Sequence, residues 1–367
     1  MAKNKSGLVL TVSGREIPVN RSEPIVTDID VVLFDRSMNP REAIEALVEG
    51  YSLLIVDFYS SGLSVLNELK SYIEKTHSGQ SFKEQRDFRS AFRTLSNRIL
   101  VEVSNNKLAV KKAPEIGWLK ELYPELSEFL LPFPQVQGLN SSWQWYKKGI
   151  FIPVLSREIH PYFGTYFPTR FEHLELFEDW LSKYRGERAS AIDIGIGSGI
   201  LTFQMLKHRF KMVCGTDLNP NAIIGVNKEL ERRGESSSVK LKFGDLFAGC
   251  DTGSELIVFN PPWLPASHDT EGLDKAIYYD ENLFLRFFSE AVKNLKDNGR
   301  VVILFSNLAQ VTGVTSNHPV EKELAEGGRF VKEVFTQKSV SKASKKTRRN
   351  QNWRSTEKVE LWVLKKR

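Results

Sequence analysis

A glycine-rich loop in the second half of the chain has the composition of a ligand-binding turn. It begins at Asp193, follows a predicted strand over residues 189–194 and opens a predicted helix over residues 200–209. The glycines of the loop are Gly195, Gly197 and Gly199. Glycines let the backbone turn tightly and approach a ligand closely, while the start of the helix favours a carboxylate or a phosphate. Their spacing departs from the dinucleotide-binding fingerprint, and Asp193 could hold a cationic amino group.

An acidic residue ends the next predicted strand, over residues 212–216. Asp217 lies there and could accept hydrogen bonds from both hydroxyl groups of a ribose. Leu218 follows, and then Asn219 and Pro220 have the residue types of a helix cap and of a first helical turn. The sequence therefore predicts an acceptor at the end of this strand and a helix directly after it.

A third acid, Asp245, ends the predicted strand over residues 239–243, with Leu246 after it. Its carboxylate could accept a hydrogen bond from an adenine amino group. Each acid taken alone is better explained as a cap or a turn residue. Three acids at three successive strand ends would share the carboxyl edge of one sheet, which is where open α/β sheets bind ligands. Together they predict a ligand-binding site at that edge.

The most specific motif ends the fourth predicted strand, over residues 256–259. It consists of Asn260, Pro261, Pro262 and Trp263. A simple turn would explain the two prolines but not their position at this strand end.

With this motif, residues from about 160 to 367 resemble a class I S-adenosylmethionine-dependent methyltransferase. The order and spacing of the glycine loop, Asp217, Asp245 and the Asn-Pro-Pro-aromatic motif carry the resemblance. It implies S-adenosylmethionine as the cofactor. It also implies that Arg170, the last residue of the segment Phe-Pro-Thr-Arg, borders the cofactor. The motif and the Leu-Asn-Pro after Asp217 are similar to the ribosomal RNA guanine-N2 and release-factor glutamine methyltransferases. Those enzymes usually have Tyr or Phe where this chain has Trp263.

The resemblance implies methyl transfer to an exocyclic amino nitrogen or an amide nitrogen. Such a nitrogen is a poor nucleophile because its lone pair is delocalised. The side-chain carbonyl of Asn260 and the backbone carbonyl of Pro261 can accept its two hydrogens and stabilise the developing positive charge. Pro262 stiffens the turn, and Trp263 offers a face on which a planar target can stack. These four residues are the predicted catalytic motif.

The charge of the chain is concentrated near its end. Residues 330–367 contain 12 Lys and Arg against 3 Asp and Glu, whereas residues 151–329 contain 20 against 24. The basic run that we predict to bind substrate phosphates comprises Lys342, Lys345, Lys346, Arg348, Arg349 and Arg354. A solvated basic segment is the alternative interpretation. Since the strand before the run is expected to end at the motif-bearing edge, we expect the run to face the substrate.

Alternating strands and helices after residue 188 must position these motifs. They predict an α/β fold: a seven-stranded, Rossmann-like methyltransferase sheet that is mainly parallel and ends in an antiparallel hairpin. Residues 1–150 are predicted to be a separate α/β or α+β domain, either a recognition domain or a degenerate copy, and residues 151–367 the catalytic domain. Within the first domain we predict a helix over residues 117–131 that ends at Pro132-Phe133-Pro134. The aromatic residues 143–146 favour packing over base stacking.

Composition excludes several other classes of protein. With 41% hydrophobic and 26% charged residues, the chain is neither fibrous nor wholly disordered. No apolar run is long enough to span a membrane. Two cysteines cannot form a disulfide framework or a cysteine-rich zinc site, which favours a reducing, cytoplasmic compartment. The histidines lack metal-ligand spacing, so we expect no metal.

The sequence therefore predicts a methyltransferase that modifies an sp² nitrogen of RNA or of a protein glutamine, with RNA or a ribosome-associated protein as partner. N-methylation of a small metabolite is a second hypothesis, although a small neutral substrate would not need the basic run. A non-catalytic module that binds S-adenosylmethionine or RNA is a third. The intact motif at residues 260–263 argues against it.

Overall fold

The computed structural model describes residues 8–76, 82–266, 277–341 and 356–367. The strands are β1 (Val9–Val12), β2 (Arg15–Pro18), β3 (Val31–Phe34), β4 (Ser52–Ile55), β5 (Ile99–Ser104), β6 (Lys107–Leu108), β7 (Glu128–Pro132), β8 (Ile150–Ile152), β9 (Arg157–Ile159), β10 (Ser190–Ile194), β11 (Met212–Asp217), β12 (Val239–Phe243), β13 (Ser254–Phe259), β14 (Leu264–Pro265), β15 (Tyr278–Tyr279), β16 (Leu295–Ser306), β17 (Phe330–Ser339) and β18 (Lys358–Lys366). The helices are α1 (Pro40–Glu49), α2 (Tyr59–Thr76), α3 (Phe82–Ser96), α4 (Trp118–Leu122), α5 (Phe133–Lys148), α6 (Glu172–Lys183), α7 (Ile200–Lys207), α8 (Pro220–Arg233), α9 (Leu283–Asn294), α10 (Leu308–Val311) and α11 (Pro319–Lys322).

The chain divides into two compact units. Residues 1–8 and 21–147 form the N-terminal unit, and residues 9–20 and 148–367 form the C-terminal unit. This division differs from a single boundary at residue 150, because the hairpin β1–β2 belongs to the second unit. The hairpin contacts α8, which a local sequence pattern cannot indicate.

A seven-stranded sheet forms the centre of the C-terminal unit. Its strand order is β12-β11-β10-β13-β16-β18-β17, and β18 runs in the opposite direction to the other six strands. This order confirms the predicted Rossmann-like methyltransferase sheet with an antiparallel hairpin at its end. In the order of the sheet β18 lies inside and β17 forms the edge.

Burial explains why these segments form the sheet. All six residues of β13 are buried, as expected for a central parallel strand that is covered on both faces. Helix α9 covers part of the sheet with a stripe of Phe284, Phe287, Phe288 and Ala291 at helical spacing. These side chains share one hydrophobic cluster with the inward side chains of β10, β13 and β16. The sheet edge that carries the motifs therefore rests on a well-packed core.

The N-terminal unit contains a mixed sheet in the order β3-β4-β5-β6, with β7 also paired to β5. The prediction of a single helix over residues 117–131 is wrong. Helix α4 ends at Leu122, two residues before Pro124, and β7 then alternates buried Phe129 and Leu131 with more exposed neighbours. Residues 132–134 do not end a helix, because α5 begins at Phe133.

The aromatic stretch at residues 143–146 lies in α5. The ring centroid of Trp118 lies 5.3 Å from that of Trp143 and 4.6 Å from that of Tyr146. These contacts agree with the packing interpretation of the stretch. Trp143 and Tyr146 thus pack against the buried Trp118, whereas Trp145 is exposed.

The two cysteines form one disulfide, between Cys214 of β11 and Cys250 beyond β12. Two cysteines are enough for a single disulfide, but the sequence pattern did not predict one. Cysteine usage therefore no longer supports a reducing compartment. None of the described helices has the length and apolar character needed to cross a membrane.

Candidate functional site

The four motifs lie at one edge of the seven-stranded sheet. Ile194, the last residue of β10, pairs with Thr216 of β11 on one side and with Phe259 of β13 on the other. Asp217 pairs in turn with Phe243, the last residue of β12. The strands therefore end in register, and the residues that follow them emerge side by side.

The glycine loop has a backbone that only glycines adopt readily. Gly195, Gly197 and Gly199 have φ values of 67°, 52° and 79°. A Cβ on Gly197 would lie 3.7 Å from the backbone oxygen of Tyr166, so the loop lies close beneath that residue. The amide of Ile196 donates to the carbonyl of Thr216 at 2.8 Å and fastens the loop to β11. The glycines and this bond thus define the shape of the loop.

Asp193 is completely buried at the end of β10. Its Oδ2 accepts a hydrogen bond from the Thr202 hydroxyl at 2.7 Å, whereas its Oδ1 has no partner among the described residues. Burial raises the pKa of Asp193 to about 7, against the stabilising bond from Thr202. A buried acceptor without a partner is costly and suggests a ligand donor, such as an ammonium group.

Asp217 organises the loops on both sides of it. Its Oδ2 accepts from the amide of Gly197 and its Oδ1 from the amide of Asn219, both at 2.8 Å. Burial raises the pKa of Asp217 to about 6, although both amide bonds favour the charged form. Leu218 beside it is 61% exposed and offers an apolar face to solvent. Asn219 caps α8 by accepting from the amide of Asn221, and Pro220 opens the helix, as predicted.

Asp245 has a partner that the sequence pattern did not reveal. Its carboxylate forms an ion pair with Arg286 of α9, which also contacts Asp280 at 3.2 Å. Leu246 is buried and has a φ of 43°, a conformation that a branched residue rarely adopts. Its side chain packs into the core, so only its backbone is available to a ligand at this edge.

The segment before α6 is fastened to the site by asparagines. The Nδ2 of Asn219 donates to the carbonyl of Gly164 and that of Asn221 to the carbonyl of Phe163, each at 2.8 Å. Asn221 is fully buried and also bonds both backbone groups of Asn20. These long-range contacts hold the segment over the glycine loop, and no local sequence signal could have shown them.

Arg170 lies at the end of that segment. Its described partner is the buried carboxylate of Glu357, at 2.8 Å, just after the basic run. The family resemblance placed Arg170 beside the cofactor and gave no sign of this ion pair. A structural role in anchoring residue 357 is therefore part of what Arg170 does.

The predicted catalytic motif forms the turn after β13. Pro261 is buried, and Asn260, Pro262 and Trp263 are partly exposed. The indole nitrogen of Trp263 donates to Oδ1 of Asn260 at 3.2 Å. The ring of His173 packs edge to face against the Trp263 ring, with centroids 5.8 Å apart. Burial lowers the pKa of His173 to about 4, so this imidazole is neutral at neutral pH.

The predicted substrate-binding cations, Lys342, Lys345, Lys346, Arg348, Arg349 and Arg354, lie outside the described residues. The described residues before them are tied to α6. Lys338 forms an ion pair with Glu175 at 2.5 Å, and the amide of Ser341 donates to Glu172 at 2.7 Å. Glu172 directly precedes His173, which contacts the catalytic motif. The described residues that precede the basic run are thus linked to α6.

The sheet order and the strand-end motifs together define a class I methyltransferase fold. Residues 175–330 match the family model described as the methyltransferase small domain. The matched residues run from α6 to the first residue of β17 and include the glycine loop and the catalytic motif. This part of the chain is therefore similar to the methyltransferase small domain.

Three curated relatives share this region. A provisional protein N5-glutamine methyltransferase of Methanocaldococcus jannaschii is 31% identical over 126 residues, which cover 32% of this chain and 61% of the relative. A ribosomal protein L11 methyltransferase of Bacillus licheniformis is 26% identical over 56% of this chain and 60% of the relative. A release factor glutamine methyltransferase of Streptococcus pneumoniae is 27% identical over 35% of this chain and 50% of the relative. The chain therefore spans about 60% of the length of the first two relatives.

Solved structures of methyltransferases are also similar to the chain. A ribosomal protein L11 methylase of Lactobacillus delbrueckii subsp. bulgaricus is 18% identical over 56% of this chain and 83% of the other, with a TM-score of 0.38. A geranyl diphosphate C-methyltransferase of Streptomyces coelicolor, solved with S-adenosyl-L-homocysteine, is 14% identical over 53% of this chain and 78% of the other, with a TM-score of 0.39.

Proposed function

We propose that the protein is an S-adenosylmethionine-dependent methyltransferase that acts on an exocyclic amino or amide nitrogen. The observation that carries the proposal is the position of Asn260 directly after β13, which pairs with β10, the strand that leads into the glycine loop. An acceptor for the target nitrogen and a loop for the cofactor thus meet at adjacent strand ends. The match of this region to the methyltransferase small domain supports the same assignment.

The residues at the strand ends fit the cofactor. The unpartnered Oδ1 of Asp193 would accept from its ammonium group, and the remaining lone pairs of Asp217 would accept from its ribose hydroxyls. Leu218, Asp245 and the backbone at Leu246 would surround the adenine. When bound, S-adenosylmethionine supplies an electrophilic methyl group on its sulfonium.

The chain's own contribution is to orient the target nitrogen. Oδ1 of Asn260 and the carbonyl of Pro261 accept its two hydrogens, which aligns its lone pair and stabilises the positive charge that develops on it. Trp263 supports the planar target from one side. Proximity and alignment supply most of the acceleration, so the proposal needs no covalent intermediate.

The side-chain amide of a protein glutamine is our first choice of substrate. Relatives named as glutamine methyltransferases match this region, and an amide nitrogen presents the two hydrogens that the motif can accept. A ribosome-associated protein is the corresponding partner. The basic run between residues 342 and 354 would then contact an acidic or RNA-containing surface around that glutamine.

An amino group of an RNA base is the second candidate. Besides the basic run, cations surround an aromatic ring in the N-terminal unit. The Arg36 guanidinium lies 3.8 Å from the Phe58 ring centroid, and the amino groups of Lys111 and Lys112 lie 5.7 and 6.0 Å from it. Positive groups beside an aromatic ring are typical of single-strand contacts. This cluster supports a recognition role for the N-terminal unit.

Transfer of a labelled methyl group tests the proposal. The purified protein is incubated with methyl-labelled S-adenosylmethionine and fractionated cell extract, and label is counted in protein, RNA and small molecules. We expect label in protein, or in RNA for the second candidate. The variant Asn260→Ala should lower turnover on the order of 10²-fold, as seen when one preorganised polar group is lost. Its cofactor affinity should change little, and loss of cofactor binding with retained turnover would contradict the role of Asn260.

A further inference from the structure

The bond between Trp263 and Asn260 fixes the orientation of the Asn260 amide. The indole nitrogen is only a donor, so the atom that faces it at 3.2 Å must be the carbonyl oxygen of the amide. A flipped amide would set its own donors against the indole N–H. The bond thus distinguishes two amide orientations that are otherwise similar in shape.

The indole is itself held in place. His173 packs edge to face against it, with ring planes at 87°. Trp263 is partly buried and packs against the hydrophobic cluster that α9 shares with the sheet. His173 is 4% exposed and belongs to α6, so the ring contact joins the turn to a second element. An indole held from two sides can hold the amide in turn.

We propose that Trp263 is a positioning residue whose N–H keeps the carbonyl oxygen of Asn260, and not its NH₂ group, directed at the target. This inference rests on the proposed function. One lone pair of Oδ1 accepts from the indole, and the second accepts a hydrogen of the target nitrogen. The site therefore selects a target that donates, such as an amino or amide nitrogen, and disfavours one that only accepts.

This role differs from stacking by the ring face. The Tyr or Phe that usually follows Asn-Pro-Pro in the enzymes the chain resembles would stack but has no ring N–H at this place. A stacking role predicts that Trp263→Phe retains activity. The positioning role predicts a loss, because Phe keeps the face and removes the donor.

A double-mutant cycle separates the two roles. We expect Trp263→Phe to lower kcat about 3- to 10-fold, the range for one lost hydrogen bond, with the KM for both substrates nearly unchanged. In the Asn260→Asp background both side-chain oxygens accept, so orientation is irrelevant and Trp263→Phe should change kcat less than about twofold. Equal losses in both backgrounds, or no loss in the parent, would overturn the inference. A parent that transfers no methyl group would instead overturn the proposed function.

A measurement that does not depend on turnover can also be made on variants with little catalytic activity. In protein labelled with ¹⁵N-tryptophan, the Trp263 indole signal is identified by its disappearance in Trp263→Phe. We expect its N–H to exchange with solvent faster in Asn260→Ala than in the parent. Equal exchange rates would show that no such bond exists in solution and would overturn the inference. Trp180→Phe is the matched control, because the Trp180 ring stacks on Phe177 and is remote in sequence from the motif.

Discussion

The affinity for S-adenosylmethionine should fall as the pH is lowered from 8 to 5. Asp217 accepts from two amides and is proposed to accept from the ribose hydroxyls, which requires its charged form. Its pKa is raised to about 6 in the free protein by burial. At pH 5 only about one such carboxyl group in ten is charged, so this group alone should weaken binding about tenfold, or about 1.4 kcal/mol.

The stability of the free protein depends on pH in the opposite direction to the cofactor affinity. Because the folded state raises the pKa of Asp217, it binds the proton more tightly than the unfolded chain does. The contribution of this group to stability is therefore present below about pH 4 and is lost as the pH rises through about 6. Asp193, with a pKa of about 7, acts in the same direction up to a higher pH. Cofactor binding reverses the preference by stabilising both charged forms.

Isothermal titration calorimetry of parent and Asp217→Asn between pH 5 and 8 measures the effect. At pH 8 the variant should bind about 5- to 150-fold more weakly, as expected for about 1–3 kcal/mol of unmet hydrogen bonds. The step near pH 6 should disappear, while a step near pH 7 due to Asp193 should persist. The ligand's own titration is common to both proteins. Asp251→Asn, which removes an exposed acid paired with Lys240, is the matched control. Parent affinity that is constant with pH, or an identical profile in the variant, would contradict a role for the charged form of Asp217 in cofactor binding.

Three further outcomes are expected. Replacing four cations of the basic run by Ser should weaken the binding of a macromolecular substrate. The slope of log affinity against log salt concentration should become flatter by up to about 0.7 for each phosphate of a single strand that is no longer neutralised. An unchanged slope would favour a solvated segment. Asn221→Ala should lower the free energy of unfolding by at least about 1–3 kcal/mol in denaturant titrations, since it leaves the backbone groups of Asn20 and Phe163 without their partner. Cys214→Ser should lower that energy by about 3–4 kcal/mol under oxidising conditions, from a bridge across 36 residues, and by much less under reducing ones. The four cations to be replaced are Lys345, Lys346, Arg348 and Arg349.

The C-terminal sheet could be predicted because its signals are local. The apolar run of β13, the glycines after β10 and the cap at Asn219 each define a strand end or a helix start. Parallel strands with similar ends then bring the motifs to one edge without any knowledge of side-chain contacts. For the same reason the acids at the strand ends could be proposed as ligand contacts, whereas S-adenosylmethionine as the ligand came from the family resemblance.

Long-range contacts could not be predicted. Asn221 bonds Asn20 across 201 residues, and His173 of α6 contacts Trp263 in the turn after β13. The error at residues 117–131 had a local cause: apolar residues suggested one helix, although Pro124 separates a short helix from a strand. The bond from Trp263 to Asn260 spans only three residues, and a turn between them could have suggested it.

The identity of the methylated atom tests the central claim most directly. Substrate labelled by the protein is digested, and the modified residue or nucleoside is analysed by tandem mass spectrometry. We expect a methyl group on an amide or exocyclic amino nitrogen, which should be lost with Asn260→Ala. A methyl group on carbon or oxygen, or transfer to nitrogen that is unaffected by Asn260→Ala, would contradict this expectation.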